Sequence, residues 1–286
     1  MERVEKTINP LNGFVMDKIK KLCKALGLIC KKPYLLNLVL ESEPVMKEKL
    51  KNRYGMEDGF PVVDIDWFTG KFQGVAAPYA YLSGATTPID IALLRTLALR
   101  YHVERYFEIG TWRGESVANM AQVVPHCTTF NLPKEEIVRL THDERYADLH
   151  GFFSRKMENV EHLTGNSLTY DFSALYGRFD MVFVDGDHHY EAVKKDTETA
   201  FKLLKGNDKV IVWHDYALDP ETVRWEVMAA ILDGCPSEKR GHLYHVSNTL
   251  CAVYLPEGPP CRKLVPFEPP QRCFEVDIRS VSCEGD

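Results

Sequence analysis

What this sequence lacks narrows it first. No apolar run within its 286 residues approaches the ~18 needed to span a bilayer. The opening MERVEKTINP has no apolar core of the kind an export signal carries. Neither a membrane nor export is therefore expected as a destination, and a cytoplasmic protein is. Basic residues are not in excess: the formal net charge is -6, whereas a nucleic-acid surface normally shows as a positive balance. None of the eight cysteines forms a C-x-x-C pair, and they read as reduced thiols, because a core of this size needs no disulfides. A bridge or metal site made by Cys261, Cys273 and Cys283 in the tail is the weaker reading. No internal repeat is present.

What is there centres on Arg105 to Gln122, RYFEIGTWRGESVANMAQ. The β-leaning run Tyr106–Ile109 passes through Gly110 and Gly114 into Val117, Ala118, Met120 and Ala121 at helical spacing, which predicts strand, tight turn and helix. In an open parallel sheet such a turn sits at the carboxyl edge of a strand, where free backbone N–H groups face a ligand crevice. A dinucleotide fingerprint needs a glycine where the backbone approaches the pyrophosphate. Here Thr111 or Trp112 holds that position, and Trp112 would crowd a pyrophosphate. The turn suits a nucleoside without phosphates, and Glu108 offers a negative charge to a cationic ligand.

Three stretches differ in texture. Residues 1–85 form a helical cap and an aromatic loop, 86–255 an α/β core, and 256–286 a proline-rich tail. In the cap, Ile19, Leu22, Cys23, Leu26 and Leu28 recur at helical spacing between Val15 and Leu40, and Val45 to Tyr54 continues with Lys47, Lys49 and Lys51 outward. The aromatic loop packs over something. Thr87, Pro88 and Asp90 start a helix whose buried face is Ile91, Leu93, Leu94, Leu97 and Ala98. A second strand runs from Cys127 to Leu132, with Asn131 where an acid commonly meets the ribose. A third, Val160 to Leu163, ends in Gly165-Asn166-Ser167. Then come a buried strand (Met181 to Val184), a helix (Tyr190 to Leu204) and a buried strand (Lys209 to Trp213) ending in His214-Asp215. Continuous apolar strands point to a parallel sheet. In the doubly wound order 3-2-1-4-5, Asp185, Asp187, His188, His214 and Asp215 share the edge that carries Gly110. A helix from Thr222 to Leu232 and a hairpin turning at Asn248 close the core, and FEVDIRSV is expected to add an edge strand or meet a partner chain.

The stretch from Thr86 to Leu255 resembles the class I S-adenosylmethionine-dependent methyltransferases. Within them it looks like the subfamily whose fourth and fifth strands end in Val-Asp-Gly-Asp-His-x-Tyr-Glu and His-Asp-Tyr. That resemblance implies a doubly wound Rossmann-like α/β fold, mostly parallel with an antiparallel hairpin at one edge. It also implies S-adenosylmethionine as cofactor, lined by Glu108, Gly110, Thr111, Gly114, Ser116, Asn131, Asn166, Ser167 and Asp185. His188, Tyr190, His214 and Asp215 would face the acceptor, and Asp185, His188, His214 and Asp215 form the expected catalytic set. Tyr79, Tyr81, Ser83 and Thr86 are candidates for the mouth of the cofactor site. The expected reaction is methyl transfer to a hydroxyl of a sugar or other small metabolite, with His188 or His214, paired with Asp185 or Asp215, as base. A divalent ion on Asp185, Asp215 and a histidine stays open, as does a homo-oligomer. Neutral Asn131 and Asn166, in place of acids, leave a catalytically silent nucleoside-binding module as the alternative. A nicotinamide-dependent reductase is disfavoured by the missing glycine, and a metal phosphohydrolase by the strand-end placement of its would-be ligands.

Overall fold

The computed structural model describes residues 10–40 and 42–282; residues 1–9, on which the expectation about export rests, and Cys283 lie outside them. Helices α1 (Pro10–Lys31), α2 (Asn37–Leu40) and α3 (Glu43–Tyr54) precede β1 (Val62–Val63). From α4 (Pro88–Arg100) strands and helices alternate: β2 (Arg105–Ile109), α5 (Glu115–Met120), β3 (His126–Asn131), α6 (Lys134–Thr141), α7 (Glu144–Asp148), β4 (Val160–Thr164), β5 (Met181–Val184), α8 (Tyr190–Leu203) and β6 (Val210–Trp213). A short ribbon, β7 (Ala217–Asp219) with β8 (Thr222–Val223), leads to α9 (Trp225–Gly234), the hairpin β9 (Leu243–Val246) and β10 (Ala252–Tyr254), and finally β11 (Cys261–Arg262).

Nine strands form one sheet in the order β11-β1-β9-β10-β6-β5-β2-β3-β4. The five from β4 to β6 are parallel, and β10 pairs antiparallel with both β6 and β9. The expected order, 3-2-1-4-5 with a closing hairpin, is thus the observed one, and Asn248 makes its turn at φ 66°. Every residue of β5 and β6 is buried because helices cover both faces. Phe107, Ile109, Val182, Val184, Ile211 and Trp213 pack toward α8 and α9. Tyr106, Met181, Phe183, Val210 and Val212 pack toward Leu93, Leu94 and Leu97 of α4. Alternate residues of each strand feed opposite cores, as the two-residue period requires. Helix α4 starts as its sequence predicts, with Thr87 capping the N–H of Asp90.

Elsewhere the structure departs from the sequence reading. Thr222 and Val223 form β8 rather than the start of a helix, which begins at Trp225. FEVDIRSV forms no strand, and Val276, Ile278 and Val281 are exposed. The sheet takes β1 from the first stretch and β11 from the tail. Helix α3 docks on α9 by burying Met46 and Leu50, but Ile19, Leu22, Leu26 and Leu28 of α1 remain exposed. Cys261 and Cys273 are both free and exposed. Among the described residues no helix is long and apolar enough to cross a membrane.

Candidate active site

The carboxyl edge of the parallel strands is built by carrying the ladder one residue past each strand. Gly165 N donates to Asn131 O (2.8 Å), Gly110 N to Phe130 O (2.9 Å), Asp185 N to Ile109 O (2.8 Å) and His214 N to Val184 O (3.0 Å). Four loops therefore leave the sheet side by side. Gly110 is the tightest point: at φ 99°, a Cβ there would lie 2.0 Å from the Asp185 carbonyl oxygen. Only glycine lets the two turns abut. They enclose a cavity of about 770 Å³ lined by Thr86, Gly110, Thr111, Trp112, Gly114, Ser116, Asn131, Asn166, Ser167, Asp185, Asp187, His188, His214 and Asp215, among others.

Glu108 is not among them. Its carboxyl is wholly buried beneath the turn, accepts from Tyr106 Oη at 2.7 Å, and lies 3.4 Å from Thr129 Oγ1. Burial raises its pKa to about 8 against the hydrogen bonds from Tyr106, Ser116 and Thr129, with the nearby Asp185 charge adding to the rise. Near neutral pH it is largely protonated and offers no charge to a ligand, contrary to the expectation from its place before the glycines. Its work is internal: Thr111, Thr129 and Ser116 are tied into the same hydrogen-bonded set.

The charge sits instead around His214. Its Nδ1 lies 2.9 Å from Asp215 Oδ2 and 3.2 Å from Asp185 Oδ1, and its Nε2 lies 3.2 Å from Asp90 Oδ2. Burial alone would lower this imidazole's pKa, but the charge of Asp185 and the bonds to Asp185, Asp215 and Asp90 outweigh it and hold the pKa well above 6.5. His214 is thus an imidazolium with both nitrogens occupied. Asp215 is pushed the other way, to about 2: desolvation opposes the shift, but the His214 bond and the charges of His214, His188 and Arg224 prevail. Arg224 Nη1 stands 3.3 Å from Asp215 Oδ1, and Thr86 Oγ1 donates to Asp185 Oδ2 at 2.9 Å. His188, nearly half exposed, places its Nδ1 3.2 Å from Asp215 Oδ2. Asp185 Oδ, His214 N and Asp215 Oδ lie within 4.8 Å of one another.

Asp90 is the residue that sequence reasoning missed. Its position read only as a helix-start acid, yet it is fully buried and also accepts from Leu250 N (3.0 Å) and Thr87 Oγ1 (2.6 Å). The second omission is the clamp that holds the aromatic loop over the cavity. Asn119 accepts from Ala77 N and donates to Pro78 O, Glu115 accepts from Ala80 N, and Arg113 donates to Ser83 O. The polar residues of GESVANM, in an apolar setting, were the available signal. Of the loop candidates, Ser83 and Thr86 line the cavity; Tyr79 and Tyr81 meet each other edge-to-face instead. Tyr190 donates to Asp233 of α9, away from the cavity, and so does not face an acceptor.

The far half of the cavity is mostly uncharged, although Glu136 of α6 also lines it. Trp112 stacks on Tyr146 with centroids 4.4 Å apart and meets His150 edge-on. Asn131 lies 2.8 Å from His150 Nδ1, and Asn166 Oδ1 accepts from Leu168 N at 3.0 Å. Ser167 hydrogen-bonds buried Asp196, whose pKa burial raises to about 7.

A parallel β4-β3-β2-β5-β6 sheet, an antiparallel pair beyond it and a ligand-sized cavity at the switch point define a doubly wound, Rossmann-like α/β fold. Residues 107–216, from the middle of β2 to just past β6, match the family model described as a methyltransferase domain. No curated protein matches the chain in sequence. Among solved structures, a caffeoyl-CoA O-methyltransferase assignment from Staphylococcus aureus is 19% identical, with TM-score 0.41, covering 78% of this chain and 98% of that one. The O-methyltransferase TomG of Streptomyces achromogenes, of tomaymycin synthesis and in complex with SAM, is 20% identical, with TM-score 0.39 and coverages of 60% and 81%. An S-adenosylhomocysteine-bound methyltransferase of Podospora anserina is 14% identical, with TM-score 0.41 and coverages of 88% and 99%. Likenesses this distant carry no weight for substrate or mechanism.

Proposed function

We propose that this chain is an S-adenosylmethionine-dependent methyltransferase acting on a hydroxyl of a small-molecule acceptor. The observation that carries this reading is the convergence, on one cavity, of a phosphate-free glycine turn with Asp185, His188, His214 and Asp215. Asp90, Asp185 and Asp215 converge there on His214, Arg224 and His188; with the His188 imidazole neutral, three carboxylates face two cations, and that end favours a cationic ligand such as a sulfonium. The neutral end, with Trp112, Asn131, Asn166 and Ser167, suits the nucleoside.

In methyl transfer the acceptor oxygen attacks the methyl carbon as the carbon–sulfur bond breaks, and the hydroxyl proton must leave. His214 is ill placed to take it, since both its nitrogens already hold protons shared with carboxyls. His188 is the better base: Asp215 holds its Nδ1, leaving Nε2 for the acceptor proton. His214 positions Asp185 and Asp215 across the strand gap. The donor set also fits a divalent ion, two carboxylates and one imidazole nitrogen being a mixed set that first-row ions accept. Asp185, Asp215 and His214 would hold it, His214 giving up its Nδ1 proton to do so, and when bound it would supply Lewis-acid polarisation of the acceptor oxygen.

The test is a mass scan for a gain of one methyl group over hydroxyl-bearing sugars and small metabolites, with S-adenosylmethionine as donor. Asp185→Ala is expected to abolish transfer while leaving the unfolding transition cooperative. Full activity in that variant would refute the assigned role.

A further inference from the structure

Helix α1 is the largest feature of the chain that the site leaves unused. Ile19, Leu22, Leu26 and Ile29 recur at spacings of three and four, which places them on one stripe of a helix, with Cys23 and Cys30 beside it. Lys20, Lys21, Lys24 and Lys31 fall on the opposite side of the same helix. Between residues 17 and 32 there are six lysines and one aspartate, in a chain whose net charge is -6. Three of its four residues are turned away from the body, Ile19, Leu22 and Leu26 being 51%, 59% and 53% exposed, while Ile29 is half-buried. Leu38, Val39 and Leu40, in α2, are exposed as well. Helix α1 packs chiefly against the short turn Pro33–Leu36, and firm docking on the sheet core begins only with α3.

Such a surface has to be covered by something, and its charge says by what. A second copy of the helix would set lysine flank against lysine flank, with Asp17 the only acid among residues 17–32 to offset the repulsion. An anionic lipid surface supplies the complementary charge while its acyl region accepts the leucines. At 22 residues the helix is about 33 Å long, but it is too polar to span a bilayer. We propose that α1 lies in the plane of an anionic bilayer surface, with Ile19, Leu22, Leu26 and Ile29 sunk below the headgroups and the lysines among them. The absence of a spanning segment, which argued against membranes at the level of sequence, does not bear on a helix lying flat.

The test is co-sedimentation of the full chain with phosphatidylcholine vesicles, with and without phosphatidylglycerol at about one lipid in three. Expected is partition onto the anionic vesicles alone, weakening as salt rises. Leu22→Glu/Leu26→Glu should abolish it, and Lys20→Glu/Lys24→Glu should weaken it at least about thirtyfold, since each lysine near the surface contributes about 1 kcal/mol. Both variants should keep the parent's unfolding midpoint, because these side chains are exposed. No partition, or equal partition onto neutral vesicles, would overturn the proposal. So would a dimer by sedimentation velocity that Leu22→Glu/Leu26→Glu dissociates without any lipid binding by the parent.

Discussion

The two halves of the cavity are built on different physics. Around the turn after β2 and beyond the ends of β3 and β4 the walls are mostly uncharged, Glu136 apart: the stacked pair Trp112 and Tyr146, two asparagines, and a serine on a buried acid. Beyond β5 and β6, three carboxyls converge on one imidazolium. A neutral wall recognises a ligand by shape and stacking, and its interactions change little as a reaction proceeds. The charged half can hold a cation, orient a hydroxyl and take up a proton, all of which matter most in the transition state. The division predicts that substitutions on one side change turnover, and on the other, affinity.

The strongest way to break that division is at His188. Replacing it with Ala should lower kcat by about 10²–10⁴-fold, the range for a lost general base, with S-adenosylhomocysteine affinity nearly unchanged by calorimetry. A variant with intact turnover would move the base elsewhere. Next is Asp90→Asn. Asp90 accepts from Leu250 N, Thr87 Oγ1 and His214 Nε2, and an amide must turn its NH₂ toward one of these donors. A loss of about 1–3 kcal/mol in unfolding free energy is expected, with kcat lowered more than KM is raised. Denaturant melts and steady-state kinetics read both. On the neutral side, Trp112→Ala should weaken S-adenosylhomocysteine binding by about tenfold, the scale of one aromatic–base stack, and leave kcat within about twofold. A collapse of kcat instead would erase the distinction between the halves.

The last effect concerns Glu108 and is read by stability rather than by turnover or affinity. Its folded pKa, about 8, is raised above the ordinary 4.5, so the unfolded chain releases this proton at a lower pH than the folded one. Its contribution to stability therefore falls as pH rises from about 4.5 to about 8. Glu108→Gln removes that decline. The variant's unfolding midpoint should gain on the parent's between pH 5 and pH 8, with S-adenosylhomocysteine affinity unaltered. A fall in affinity would show that the carboxyl does meet the ligand.

Much of this was legible in the residues. Short β-leaning runs bounded by turn formers marked β2 to β6, and the continuous apolar character of β5 and β6 gave the parallel sheet. Thr87 and Asn248 marked a cap and a turn because their roles are local. Asp185, His188, His214 and Asp215 could be placed on one cavity edge because a strand's end follows from where its apolar run stops. What stayed hidden depends on partners far along the chain. Asp90 meets His214 across 124 positions, and nothing near it in sequence reports that. Glu108 was assigned to the ligand from its place before the glycines, but strand alternation turns it beneath the turn, toward Tyr106 and Thr129. Tyr190 starts a helix on the side that faces α9. The leucines of α1 carry the same periodicity as those of α4, and periodicity alone does not say whether a face has a partner.

Calorimetric titration with S-adenosylhomocysteine tests the central claim most directly, because the claim is that one cavity at these strand ends is shaped for a phosphate-free nucleoside. The prediction is one ligand per chain, with affinity reduced by Trp112→Ala and unchanged by Glu108→Gln. No heat and no thermal shift at millimolar ligand, or binding that Trp112→Ala leaves untouched, would contradict it.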